Sequence, residues 1–206
     1  MCGIAGILGK DAKSNVIDDM LMVQHHRGPD FTGKWLEEGV ALGHNRLSII
    51  DLSNSANQPF FDRTKRYSIV FNGEIYNYIE LREKLKSSYN FQTTSDTEVL
   101  LAAYIFWGKD CLKHFNGMFS FAIYDTKSKS LFAARDRFGV KPLFYHKSND
   151  SFYFSSEIKA IHAAGIKKKP HEEIWAGYFA YGSYGMPDET FWEEIHQLPG
   201  GHYLEL

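Results

Sequence analysis

Apolar and polar positions alternate with a period of two along much of this 206-residue chain. Alternation of that kind predicts strands at Cys2–Leu8, Val40–Arg46, Tyr67–Asn72, Met118–Asp125, Leu131–Arg135, Leu143–His146 and Phe152–Ser155. Several are apolar on both faces, as in the run from Phe119 to Tyr124, so they belong in a sheet covered on both sides. The connections Asp125–Ser130 and Ser148–Asp150 are too short for a helical crossover, which favours antiparallel pairing. A period near 3.6 appears at Asn15–His26 with Ser14 as its cap, and at Ile79–Leu85 after Asn77. Start and stop signals mark further helices at Thr97–Trp107 after Ser95-Asp96 and before Gly108, and at Glu157–Ala164 after Ser156 and before Gly165, with a last helix over Glu172–Tyr181. Strands grouped together, with helices between groups and no βα rhythm, predict an α+β fold in which stacked sheets carry helices outside.

The length suits one large domain with a full core, and the Lys167-Lys168-Lys169-Pro170 stretch, the single plausible boundary, reads as a solvated loop. A formal net charge of -2 gives no basic footprint for nucleic acid and no strong field for a membrane. No apolar run is long enough to span a bilayer. Cys2 and Cys111 stand alone, without the spacing of a zinc site, and predict reduced thiols in a cytoplasm. Neither GxGxxG nor GxxxxGK[ST] occurs.

Candidate chemistry starts at the second residue. Removal of Met1 would leave Cys2 with a thiol and a free α-amine, a nucleophile that carries its own base. His26–Asp30 reads as a tight turn after a helix, and Arg46, in His44–Asp51, places a planar fork of donors at a strand end where it suits a carboxylate. Asn72-Gly73 is first of all a hairpin turn signal; the alternative is an oxyanion hole built from the Asn72 amide and the Gly73 N–H. Asp96 is either part of a helix cap or a partner for a substrate ammonium. The charged run from Ala134 to Tyr145 reads as a hairpin between two strands, and Cys111 as a structural thiol.

Taken in order, MCGIAG, HRGPD, HNRLSIID, FNGEIYN, TSDTEVL, FNGMFSFAIYD, RDRFGVKPLFY and FSSEIKAI resemble the glutaminase domain of class II glutamine amidotransferases, in the asparagine-synthetase branch. The resemblance runs from Cys2 to the closing segment Leu198–Leu204, where Gly200 replaces a usual proline. It implies an N-terminal nucleophile hydrolase, a four-layer αββα sandwich with two antiparallel sheets. It further implies that Cys2 attacks the side-chain amide of L-glutamine and that Asn72 and Gly73 form the oxyanion hole. Arg46 with the backbone of Leu47, Ser48, Ile49 and Ile50 would then clamp the α-carboxylate, and Glu74 and Asp96 the α-ammonium. No metal and no cofactor are implied for this step; ATP and magnesium belong to a synthetase domain of the SGGxDS type, which this chain lacks.

By this reading residues 1–206 are the glutaminase half of an enzyme whose ammonia feeds asparagine synthesis from aspartate, in a synthetase domain or subunit. The resemblance also allows a homodimer. Other readings are the same glutaminase serving another acceptor, such as a surface-polysaccharide sugar acid, a module that senses glutamine or docks a partner without catalysis, and an acylase for other amides. The charges of Arg46 and Asp96 disfavour apolar acyl groups.

Overall fold

A computed structural model describes all 206 residues. Eleven strands form two fully antiparallel sheets. The first contains β1 (Gly3–Gly9), β2 (Phe31–Glu37), β3 (Val40–Arg46), β8 (Phe144–Lys147), β9 (Ser151–Ser155) and β10 (Ile195–Gln197), in the order β10-β8-β9-β1-β3-β2. The second contains β4 (Phe60–Phe61), β5 (Tyr67–Ile75), β6 (Gly117–Asp125), β7 (Ser130–Arg135) and β11 (Tyr203–Glu205), in the order β11-β7-β6-β5-β4. Helices α1 (Ser14–Val23) and α4 (Ile158–Ala163) cover the first sheet; α2 (Tyr78–Leu85) and α3 (Asp96–Trp107) cover the second. Helix α5 (Glu172–Tyr181) follows the exposed lysine loop.

The period of two sorts side chains into layers. Along β6, Phe119, Phe121 and Ile123 point to α3, while Ala122 and Tyr124 point to the first sheet. Along β1, Ile4 faces the second sheet and Ala5 and Ile7 face α1. Three buried layers result: α1 and α4 on the first sheet, sheet on sheet through Ile4, Leu42, Val70 and Phe154, and α2 and α3 on the second sheet. This is the expected four-layer sandwich.

Four strands carry no sequence signal of their own: β2, β4, β10 and β11. β2 is an edge strand with only Gly33 buried, so it has no apolar face to announce it. β5 runs past Asn72 to Ile75, with Asn72 opposite Ser120 and Gly73 opposite Phe119, so Asn72-Gly73 is not a hairpin. Nor is the run from Ala134 to Tyr145 one, because it leaves β7 in the second sheet and enters β8 in the first. Ser14 is the first residue of α1, not its cap, and its hydroxyl accepts from Lys34 Nζ at 2.8 Å. Helix α1 stops at Val23, three residues before His26, and a 3-10 turn spans His25–Arg27. Ser156 does not cap α4, since its Oγ accepts from Ile4 N–H at 3.0 Å. Ser95 does cap α3, accepting from Glu98 N–H at 3.3 Å.

Candidate active site

Cys2 leads directly into β1, Arg46 ends β3, and the second half of β5 lies opposite them, so the two sheets bring these three segments to one pocket. The pocket has a volume of about 150 Å³. Cys2, Arg46, Leu47, Ile49, Ile50, Asn72, Gly73, Glu74 and Asp96 all line it. Ser48 does not: its N–H donates to Asp30 Oδ2 at 2.7 Å and is unavailable to a ligand. Met1, Gln58, Met118 and Lys141 also line the pocket.

Cys2 is held from both sides. Leu47 N–H donates to its sulfur at 3.4 Å, and the Sγ lies 3.6 Å from the Leu47 carbonyl. Its own carbonyl accepts from Arg27 Nε at 2.9 Å, and Arg27 is anchored in turn by Glu157 at 3.0 Å. The turn carrying Arg27 can lie on β3 because residue 28 is glycine; a Cβ there would come within 2.3 Å of the Asn45 carbonyl oxygen. The HRGPD motif is therefore a brace for Cys2, a role its turn chemistry alone did not show. Burial pushes the Cys2 thiol above its ordinary value, while Leu47 N–H, the chain-terminal amine and Arg46 pull it down and Asp96 opposes them.

The outer edge of β5 supplies donors. Register with β6 pairs the even-numbered residues through their backbone, so the N–H groups of Phe71, Gly73 and Ile75 face outward beyond the two-residue β4. Phe71 N–H is taken by Gln58 Oε1 at 2.6 Å and Ile75 N–H by Asp96 Oδ2 at 3.0 Å. Gly73 N–H stands between them, at the pocket. Beside it Asn72 is 1% exposed, and its amide Nδ2 is buried without any hydrogen-bond partner. A buried donor left unpaired is costly, and two neighbouring donors aimed into one pocket suit an oxygen that gains negative charge. A side chain at position 73 would meet Met118 O at 2.3 Å, so glycine is required there by the close approach of β6.

The charged end of the pocket is as definite. Arg46 Nη1 donates to Ser53 O at 2.8 Å and to Asn57 Oδ1 at 2.6 Å, and Nη2 donates to Asp51 O. Three of five donors thus shape the loop after β3, leaving Nε–H and one Nη2–H for a ligand. Asp51 holds that loop to the next by accepting from Thr94 N–H at 2.8 Å. Opposite, burial lifts the Asp96 carboxyl to about 6 despite N–H donors from Ile75, Asp96 and Thr97. A fork of donors at one side and two carboxylates, Glu74 and Asp96, at the other match a zwitterionic amino acid.

Of the residues the sequence did not single out, Lys141 carried a signal, a lone cation in the apolar stretch of RDRFGVKPLFY. Gln58 carried none; its role depends on the fold returning it to β5. Cys111 is fully buried in the layer under α3, and burial pushes its thiol up to about 12, consistent with a structural residue.

Comparison with known proteins gives the family and the fold. A family model described as a glutamine amidotransferase domain matches residues 1–206. Asparagine synthetase [glutamine-hydrolyzing] 3 of Bacillus subtilis is 41% identical over 214 residues, covering 99% of this chain and 34% of the relative. Amidase chry2 of Gibberella zeae is 36% identical, covering 99% of this chain and 32% of that protein. The chain thus spans about a third of the length of these two curated relatives. Among solved structures, the glutamine phosphoribosylpyrophosphate amidotransferase of B. subtilis superposes with a TM-score of 0.68 at 24% identity, over 80% of this chain and 44% of that one, a likeness of fold. No helix is long and apolar enough to cross a membrane. The sandwich, the pocket at its sheet ends and the match along the whole length place this chain in the glutamine amidotransferase domain family.

Proposed function

We propose that the chain hydrolyses L-glutamine to glutamate and ammonia through a glutamyl thioester on Cys2. The observation that carries this reading is the pair of open donors, Asn72 Nδ2 and Gly73 N–H, in the pocket that holds the Cys2 sulfur. Glutamine enters with its α-carboxylate on the free edge of Arg46 and its α-ammonium against Glu74 and Asp96. The Cys2 sulfur adds to the amide carbon as the thiol proton passes to the α-amine of Cys2, freed by removal of Met1. Asn72 and Gly73 hold the oxyanion. The amine returns its proton to the leaving nitrogen, the C–N bond breaks and ammonia departs. Water then adds to the thioester, releasing glutamate and the thiol.

The ammonia acceptor is aspartate in our favoured reading, activated with ATP and magnesium in a synthetase domain or subunit. Support comes from relatives that bear the name asparagine synthetase and are about three times the length of this chain. Kinship at 36% identity with a protein named an amidase favours keeping a second acceptor, such as a sugar acid, in view.

The test is a glutamine-shaped diazo-ketone applied to the purified 206-residue chain, with glutamate release measured in parallel. One adduct at an N-terminal Cys2, and glutamate formed without ATP or magnesium, is expected. Labelling at Cys111, or full activity in protein that still begins with Met1, would refute the mechanism.

A further inference from the structure

Most lysines of this chain are exposed, and seven of them pair with acids at the surface. Lys141 is different. It is 5% exposed, lines the pocket with Cys2 and Glu74, and its ammonium has no acidic partner within 4.0 Å. Its backbone is rigidly placed: Lys141 N–H donates to Asp136 Oδ2 at 3.0 Å, and its carbonyl accepts from Arg135 Nε at 2.6 Å.

The Lys141 side chain is nearly enclosed while its ammonium meets the open pocket, and with no carboxylate in reach it favours negative charge placed beside it. Asp136 is not that charge. Its carboxylate already accepts from the N–H groups of Phe119, Phe138, Val140 and Lys141. Asp96 is turned to Ile75. Arg27, the other cation nearby, is engaged by Cys2 O and Glu157. What remain on the pocket wall are the Glu74 carboxylate, which the proposed reading sets against the substrate ammonium, and the Cys2 sulfur. Burial lowers the Lys141 ammonium from its ordinary value, while Glu74, Cys2 and Asp136 support its charge and Arg27 opposes it. Beside Lys141, the charged groups that act on the sulfur are the terminal amine, Arg46 and Asp96.

We propose that Lys141 is a positioning residue of this site, fixed by the Asp136 turn so that its ammonium is the counter-charge for anionic sulfur at Cys2. The inference rests on the reading of Cys2 as the nucleophile, and adds that part of its activation comes from the loop between the sheets.

The rate of alkylation of the full chain by iodoacetamide, measured against pH and resolved by residue, tests this. The probe is neutral and makes no use of the Arg46 clamp. Replacing Lys141 by Met should raise the midpoint of Cys2 alkylation by about one pH unit. It should slow labelling at neutral pH by about tenfold, as the thiolate fraction falls. Lys141→Arg should restore the wild-type midpoint, and in Lys141→Met the kcat for glutamine should fall with KM unchanged. Lys141→Gln gives the same readout should the Met variant not fold. A wild-type midpoint in the neutral variants, or an Arg variant shifted as far as the Met variant, would overturn the proposal. Wild-type Cys2 labelling no faster than Cys111 would instead overturn the reading of Cys2 as nucleophile.

Discussion

In the proposed reading Asp96 acts on substrate binding and on stability in opposite directions. Burial lifts its carboxyl from 3.8 to about 6, so in the folded state it binds its proton more tightly than in the unfolded chain. Stability therefore falls as pH rises from about 4 to about 6, and the full cost persists above that range. Asp96→Asn, which keeps an oxygen for Ile75 N–H, should stabilise the protein at pH 7.5 by about 2 kcal/mol in urea unfolding, an advantage that vanishes near pH 4. The proposed function places the same charge against the α-ammonium. Wild-type KM for glutamine should rise as pH falls through about 6, and the variant should show a high KM with no such limb. Asn72→Ala should lower kcat by roughly two to three powers of ten with KM little changed, a loss of about 3–4 kcal/mol measurable in steady-state glutamate release. Asp96 was legible because it brings a carboxylate to a helix start, and Asn72 because it brings an amide and a following glycine into an apolar strand. Gln58 was not, since an amide before a proline in a loop has no local signature of its contact with β5.

The elements show where sequence patterns lose their force. Seven strands follow from a period of two because their two faces meet different layers, whereas α3, buried all round over its first eight residues, is marked by Ser95 before it and Gly108 after it. β10 and β11 are three residues each, shorter than any alternation can reveal, and β2 is exposed along most of its length. The hairpin signal at Asn72-Gly73 fails because β6 pairs with both residues, and tertiary pairing overrides turn preference. One consequence is testable at the turn that braces Cys2. In Gly28→Ala the new methyl would collide with the Asn45 carbonyl, lifting the Arg27 turn from β3. The expected result is a lower melting temperature by several degrees, together with slower alkylation of Cys2, by calorimetry and peptide mass analysis.

Across the whole molecule, Cys2 leads into one sheet and Asn72 and Gly73 lie in the other, so the separation of the proposed nucleophile from the proposed oxyanion donors is set by the layer between the sheets. Leu42 is buried in that layer, whereas Leu100 lies in the layer under α3. Truncation of either to Ala should cost about 2–5 kcal/mol. Only Leu42→Ala should also reduce kcat strongly at a temperature where both variants are folded, because only that cavity lets Cys2 drift relative to Asn72. The outer edge of β5 also bears on what the pocket can admit. A polypeptide seeking to lie along a sheet margin needs a ladder of free donors and acceptors. Gln58 and Asp96 have removed the rungs on either side of Gly73. What is left is a berth for a single oxygen, so under the proposed function the side-chain amide of the free amino acid should fit where a glutamine embedded in a protein chain finds nothing to grip. Ammonia release from free glutamine but not from a glutaminyl peptide is the corresponding expectation.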